Sequence, residues 1–260
     1  MVTIFTFVVG SVVGSFMNVC IYRIPRNLSI LSPSRSFCPK CGATIKWYDN
    51  IPILSYLFLK GRCRSCGERI SIEYPIVEFL TGSIFALLHL RYGLSLELAG
   101  YAVMASILIA VSAIDLRHYI IPNKLTFPGM GIGLIFAVLM GLTSNRYSLL
   151  INRLTGLIIG GGAILIMGLI GSAIFKKEAM GMGDVKLTGM IGVYLGFYPH
   201  LIVVILLSAV LGSLIGLALI LSGRKRAKSA IPYGPFLSGA ALVSTFYGQQ
   251  IWRAYLSLIR

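Results

Sequence analysis

The chain has 260 residues, of which 57% are hydrophobic and only 12% charged, and its mean hydropathy is +0.86. A soluble domain carries about 25% charged residues, so the polar shell of a soluble enzyme is missing and the class is an α-helical membrane protein. The net charge of +15 does not point to nucleic acid, because the basic residues sit in short clusters between apolar runs, where the bias of Lys and Arg towards cytosolic loops accounts for them.

In chain order, the apolar runs are Val2–Ile21, Ile76–Leu90, Leu98–Ile114, Leu125–Leu142, Leu154–Phe175, Leu187–Tyr198, Leu201–Ser222 and Ala230–Ile251. The first lacks a basic start and a small-residue cleavage site, and so reads as a retained span. A spanning helix needs about 20 apolar residues. Leu187–Tyr198 is too short for that unless it extends back towards Gly183, and otherwise it is a partial span. The patch Gly160-Gly161-Gly162 lies inside a run, where small residues let helices approach closely.

Charge bookkeeping favours eight spans with both termini outside. The cytosolic loops then hold nine basic residues between Arg23 and Tyr74, and they add Arg117 and Lys124. Lys176, Lys177 and Lys186 follow, then Arg224, Lys225, Arg226 and Lys228. That places eighteen of the 23 basic residues inside. The expected fold is therefore an all-α polytopic membrane protein of about eight transmembrane helices. Its divisions are a first helix over 1–22, a small cytosolic loop domain over 23–74, and a membrane core over 75–260.

The loop domain holds four of the five cysteines. Cys38-Pro39-Lys40-Cys41-Gly42 and Cys63-Arg64-Ser65-Cys66-Gly67 are two C-x2-C-G knuckles, separated by 21 residues. Two residues between thiolates let both sulfurs reach one tetrahedral ion, and four thiolates close a structural Zn2+ site. The alternatives are two disulfides or four free thiols, and a reducing cytosol disfavours the first. A loop this small and polar gains from a metal staple. Cys20, inside the first run, reads as a small buried apolar residue.

The eight acids can be weighed singly. Asp49, Glu68 and Glu73 belong to the loop or its exit, Glu97 to an outer interface, and Glu178 to a basic cytosolic segment. Glu78, Asp115 and Asp184 lie at or within membrane boundaries, where an ionised carboxylate is costly and is a functional candidate by default. Asp115 closes an apolar run; Asp184 follows Gly181-Met182-Gly183, whose glycines leave room for an extended peptide. Two facing carboxylates share a proton, so one donates to a scissile carbonyl while the other takes a proton from water. Against this stand simpler readings: each aspartate caps a helix, or pairs with a nearby base, Arg117 for Asp115 and Lys186 for Asp184. A proton path through these acids, as in a proton-coupled transporter, is a further alternative. So is a zinc-stapled scaffold without catalysis.

At these residues the sequence resembles the type IV prepilin peptidases, GxGD intramembrane aspartyl proteases. Gly181-Met182-Gly183-Asp184 matches the G-x-G-D signature, and Asp115 with Ile121-Pro122-Asn123 looks like the first aspartate motif. Gly14-Ser15-Phe16-Met17-Asn18, Tyr74-Pro75-Ile76-Val77-Glu78 and Pro232-Tyr233-Gly234-Pro235-Phe236 follow the family's order along nearly the whole chain. The resemblance implies cleavage of a short basic leader from prepilins and pseudopilins, after a Gly, at the cytosolic face of a bacterial inner membrane. It also implies N-methylation of the new terminus from S-adenosylmethionine. Asp115 and Asp184 are then catalytic. Gly181, Gly183, Asn18 and Lys186 are candidates for substrate contact or for supporting the aspartates. Asn18 reads equally as an interhelical hydrogen bond. Glu78 and Glu73 are candidates for the methyl-transfer region, and with Glu178 they can offset the repulsion between a basic leader and basic loops.

Overall fold

Lipid offers no partner to backbone amides and carbonyls, so apolar runs of this length close their hydrogen bonds within helices. The computed structural model describes residues 1–32, 35–176, 180–222 and 231–259. Its helices are α1 (Val2–Arg23), α2 (Leu54–Phe58), α3 (Glu73–Tyr92), α4 (Leu96–His118), α5 (Asn123–Thr143), α6 (Tyr147–Phe175), α7 (Met182–Leu195), α8 (Ile202–Leu221) and α9 (Gly234–Ile259). A 3-10 turn at Trp47–Asn50 precedes α2, and a π-turn at Phe197–Leu201 leads into α8. Strand pairing among the described residues is confined to two isolated bridges, Phe37 with Thr44 and Arg62 with Arg69.

A helix lies in each of the eight apolar runs. Among the described residues five stretches are long and apolar enough to cross a bilayer: Val2–Arg23, Leu96–His118, Asn123–Thr143, Tyr147–Ile174 and Phe197–Leu221. The last basic cluster, Arg224–Lys228, together with Lys177 and Glu178, lies outside the described residues.

Two compact units divide the chain, Met1–Ala110 and Val111–Arg260. In the first, α1 packs along α3 because both present glycines where they meet. A Cβ on Gly10 would stand 2.8 Å from Phe85 Cβ, and one on Gly14 would stand 2.8 Å from Glu78 Cα. The pair Gly10/Gly14 is the small-x3-small spacing that permits such an approach.

In the second unit α7 is the inner helix. Every residue from Leu187 to Leu195 is buried, enclosed by α5 and α6. At 14 residues it rises about 21 Å, short of the roughly 30 Å hydrocarbon layer. It extends back to Met182, ahead of the apolar run, and is shorter than the other helices of the unit. Its tightest crossing is with α6 at Gly156, where a Cβ on Gly192 would run into the Gly156 carbonyl group. Of the three successive glycines in α6, Gly160 meets Leu201 Cδ2 and Gly161 meets the Val185 carbonyl, while Gly162 faces open space. On the opposite flank Tyr194, fully buried, stacks on Phe136 at 5.7 Å and donates to the Gly129 carbonyl oxygen at 2.9 Å.

Candidate functional site

Asp115 and Asp184 both belong to the second unit, and the segments that carry them meet where Gly183 lies against Ile121. Asp115 lies one turn before the end of α4 and is 5% exposed. Its Oδ2 accepts the backbone N–H of Gly234 at 2.9 Å. That amide opens α9 and has no carbonyl within its own helix, and the positive end of a helix favours an anion there. Asp115 thus does cap a helix, and the helix is α9.

Asp184 occupies the first turn of α7, partly buried. Its N–H bonds the Gly181 carbonyl at 3.0 Å, and a Cβ on Gly181 would stand 3.5 Å from Asp184 Oδ2. Gly183 has a different reason to be small. A Cβ there would lie 2.8 Å from Ile121 Cβ, so the turn carrying Asp184 rests directly on the loop that follows Asp115. Lys186 ties the same two segments, its Nζ donating to Asn123 Oδ1 at 3.0 Å. The base nearest Asp184 in sequence is therefore engaged with Asn123. A cavity of 280 Å³, lined in part by Met180, Gly212, Tyr233 and Phe236, opens between the residue preceding Gly181 and the start of α9.

Gly234 was not among the candidates read from the sequence. Its segment was noted only as a resemblance, and nothing local tells that its amide meets a carboxylate 119 residues away. A Cβ at this position would stand 2.7 Å from Asp115 Oδ2, so one of the two must move. Gly234→Ala is expected to lower the turnover number for the leader cleavage that the sequence resemblance implies on the order of 100-fold, the scale of an ångström-sized misplacement, with KM little changed. Cleavage time courses on purified protein check this, and a turnover number equal to the parent's would remove the role.

In the first unit Asn18, 5% exposed, donates from Nδ2 to the Tyr74 carbonyl at 3.0 Å, the interhelical bond that was one of its two readings. Glu78, 8% exposed, accepts the Ile53 N–H at 2.8 Å on Oε2. Ile53 is the N-cap of α2 and has φ +63°, a left-handed conformation that a β-branched residue adopts only when its surroundings hold it there. Glu73 opens α3 and is partly buried.

The four loop cysteines converge. Their sulfurs all lie within 4.8 Å of one another, and Cys38 and Cys66 are 4.0 Å apart. A disulfide needs about 2.05 Å, and all four are free. Four sulfurs at about 2.3 Å from a tetrahedral ion would be about 3.8 Å apart, so the cluster fits a metal. The two knuckles are near copies. Cys38 N–H bonds Ala43 O at 2.9 Å and Cys63 N–H bonds Glu68 O at 2.8 Å, while Gly42 and Gly67 turn at φ +72° and +71°. The amides of Cys66 and Ser65 point at the Cys63 sulfur and lower its thiol to about 7, which favours the ligating thiolate. Arg64 holds Asp49 with two bonds, 2.8 and 2.6 Å, and so pins the 3-10 turn to the second knuckle.

Residues 8–92 match the Bacterial Peptidase A24 N-terminal domain, and residues 102–217 match the Type IV leader peptidase family. A prepilin leader peptidase/N-methyltransferase of Bacillus subtilis is 35% identical over 97% of this chain and 97% of its own length. Another, of Xanthomonas campestris, is 33% identical over 95% of this chain and 92% of its own. One of Myxococcus xanthus is 40% identical over 84% of this chain, a match that spans 63% of that relative. No solved structure matches the chain.

Proposed function

The chain belongs to the type IV leader peptidase family, and on that premise we propose that it removes the basic leader of prepilins by aspartyl chemistry and methylates the new N-terminus. The observation that carries the reading is the convergence, in one unit, of the segments that bear Asp115 and Asp184. Ile121 lies under Gly183, Asn123 under Lys186, and Gly234 on Asp115. A scaffold without catalysis has no need of two carboxylates, one buried and one partly buried, on adjoining segments. Neither the relatives nor the fold supports a proton-coupled transporter.

In the proposed reaction one carboxyl group donates its proton to the scissile carbonyl oxygen while the other takes a proton from the attacking water. Gly234 N–H fixes the rotamer of Asp115. Gly181, standing open beside Asp184 Oδ2, leaves space for the extended leader, and the 280 Å³ cavity can admit an apolar substrate side chain next to it. Lys186 then acts by holding α7 against Asn123, and Asn18 by joining α1 to α3, each supporting its unit. S-adenosylmethionine supplies the methyl group when bound. Glu78 and Glu73 would supply the negative charge that its sulfonium calls for. The loop over 23–74 is a domain stapled by Zn2+ through Cys38, Cys41, Cys63 and Cys66. We place this multi-pass protein in the bacterial inner membrane with the aspartates on the cytosolic side and both termini outside, a sidedness supported by its basic residues.

Co-expression with a prepilin in a host lacking its own peptidase tests this directly. The prepilin band should shift to the mature size, and labelled methyl from S-adenosylmethionine should appear on the cleaved pilin. Uncleaved prepilin beside accumulated, membrane-inserted protein would overturn the peptidase. Cleavage without label would overturn the methyl transfer alone.

A further inference from the structure

The loop between α1 and α3 exposes more apolar surface than a water-facing domain tolerates. Trp47 is 81% exposed, Phe58 82%, Leu57 63% and Leu54 51%. They fall on two short elements that pack on each other, the 3-10 turn at Trp47–Asn50 and α2. Exposed Lys46 and Lys60 flank them. Exposed aromatic and aliphatic side chains flanked by basic ones mark a surface that lies in a membrane interface.

The depth of the segment agrees. Ile53, which starts α2, bonds Glu78, the sixth residue of α3, about 7.5 Å along the helix axis from Glu73. Glu78 lies against Gly14 of α1, a helix long and apolar enough to cross a bilayer, so the attachment point of α2 is already at the level of the hydrocarbon layer. Asp49 and Arg64 then carry the constraint from the turn to the second knuckle. Across residues 23–74 there are nine basic residues and three acids. That balance attracts anionic headgroups and repels a basic peptide, which separates lipid from leader as the occupant.

We propose that the Trp47–Phe58 edge of the cysteine loop rests on the anionic lipid surface of the leaflet from which α1 and α3 emerge, seating the module at the membrane boundary. The proposal rests on the membrane reading of α1 and α3 and is independent of any catalytic role.

The test uses the whole protein in lipid nanodiscs with Trp252→Phe, so that Trp47 is the one remaining tryptophan. In phosphatidylcholine with phosphatidylglycerol, its emission should be blue-shifted, several-fold better quenched by brominated acyl chains than by acrylamide, and weakened in that contrast by high salt or by omitting phosphatidylglycerol. Trp47→Phe in the parent supplies the same signal by difference if Trp252→Phe fails to accumulate. Leu57→Glu with Phe58→Glu should abolish the lipid quenching while bound zinc is retained. Emission at the wavelength of free indole with full acrylamide quenching would overturn the proposal. So would protection from both quenchers that grows with protein concentration, the sign of a second copy on this surface.

Discussion

Protein carrying Asp115→Asn or Asp184→Asn is expected to insert, accumulate and leave prepilin uncleaved, with activity down on the order of 10³-fold or more. Acid–base catalysis by one positioned group is worth about 10²–10⁴-fold, and members of a unit fail together. Asparagine is the informative replacement because of what it keeps. At position 115 its amide oxygen can still accept the Gly234 N–H that the aspartate accepts at 2.9 Å, so the start of α9 stays capped. At position 184 it preserves the size of a side chain in the first turn of α7. What both lose is the proton that a carboxyl group gives or takes. If the aspartates served only as a helix cap and an interfacial charge, the Asn variants would cleave at rates near the parent's. Gel shift of a co-expressed prepilin reads the outcome. Methyl transfer to pre-cleaved pilin, a separate reaction, should survive in both variants and so reports that the chain is folded. Full processing by either variant would sink the pair.

How much of this was legible beforehand depended on range. The cysteine knuckles are local, with every defining feature inside five residues, and spacing alone brought out all four cysteines whose sulfurs the structure gathers within 4.8 Å of one another. Apolar runs gave the helices because a bilayer permits little else. The same rule hid α7, since burial by protein and burial by lipid call for the same apolar side chains. Leu187 to Leu195 are enclosed by other helices, and only the length of the element separates an inner helix from a span. The glycines show the limit clearly. Gly160-Gly161-Gly162 stood out as a patch, yet the closest backbone approach is between Gly156 and Gly192, two isolated glycines whose partnership no window reveals. Gly234 is the same case at the site itself. Asp115 and Asp184 were singled out by the energetic cost of a carboxylate near lipid. Their shared surroundings, with Ile121 under Gly183 and Asn123 on Lys186, came only with the structure.

Replacing any one of Cys38, Cys41, Cys63 or Cys66 with Ser should empty the metal site and unravel the loop while the helices remain. Structural zinc in small modules is worth roughly 10–16 kcal/mol of apparent binding free energy, more than the loop can otherwise muster. Among the described residues its other ties include two isolated bridges, one ion pair, the Arg23 guanidinium on the Ser29, Ile30 and Arg35 carbonyls, and the attachment of Ile53 to Glu78. An exposed ion pair of this kind contributes about 0–1 kcal/mol. Most of its side chains outside Cys38 are exposed or only half-buried, so apolar burial cannot substitute. The near-identity of the two knuckles predicts similar losses from either side of the cluster, Cys41→Ser matching Cys66→Ser. Cys20→Ser is the control, because Cys20 is buried within α1 and far from metal-ligand spacing; it should keep its zinc. Metal analysis of purified protein together with limited proteolysis between residues 36 and 70 reads both effects. Parent protein free of zinc, or a Cys38→Ser variant with its zinc and protease resistance intact, would remove the staple. If the staple holds, loss of methyl transfer ahead of cleavage in these variants would connect the loop to Glu78, whose carboxylate grips the residue that starts α2.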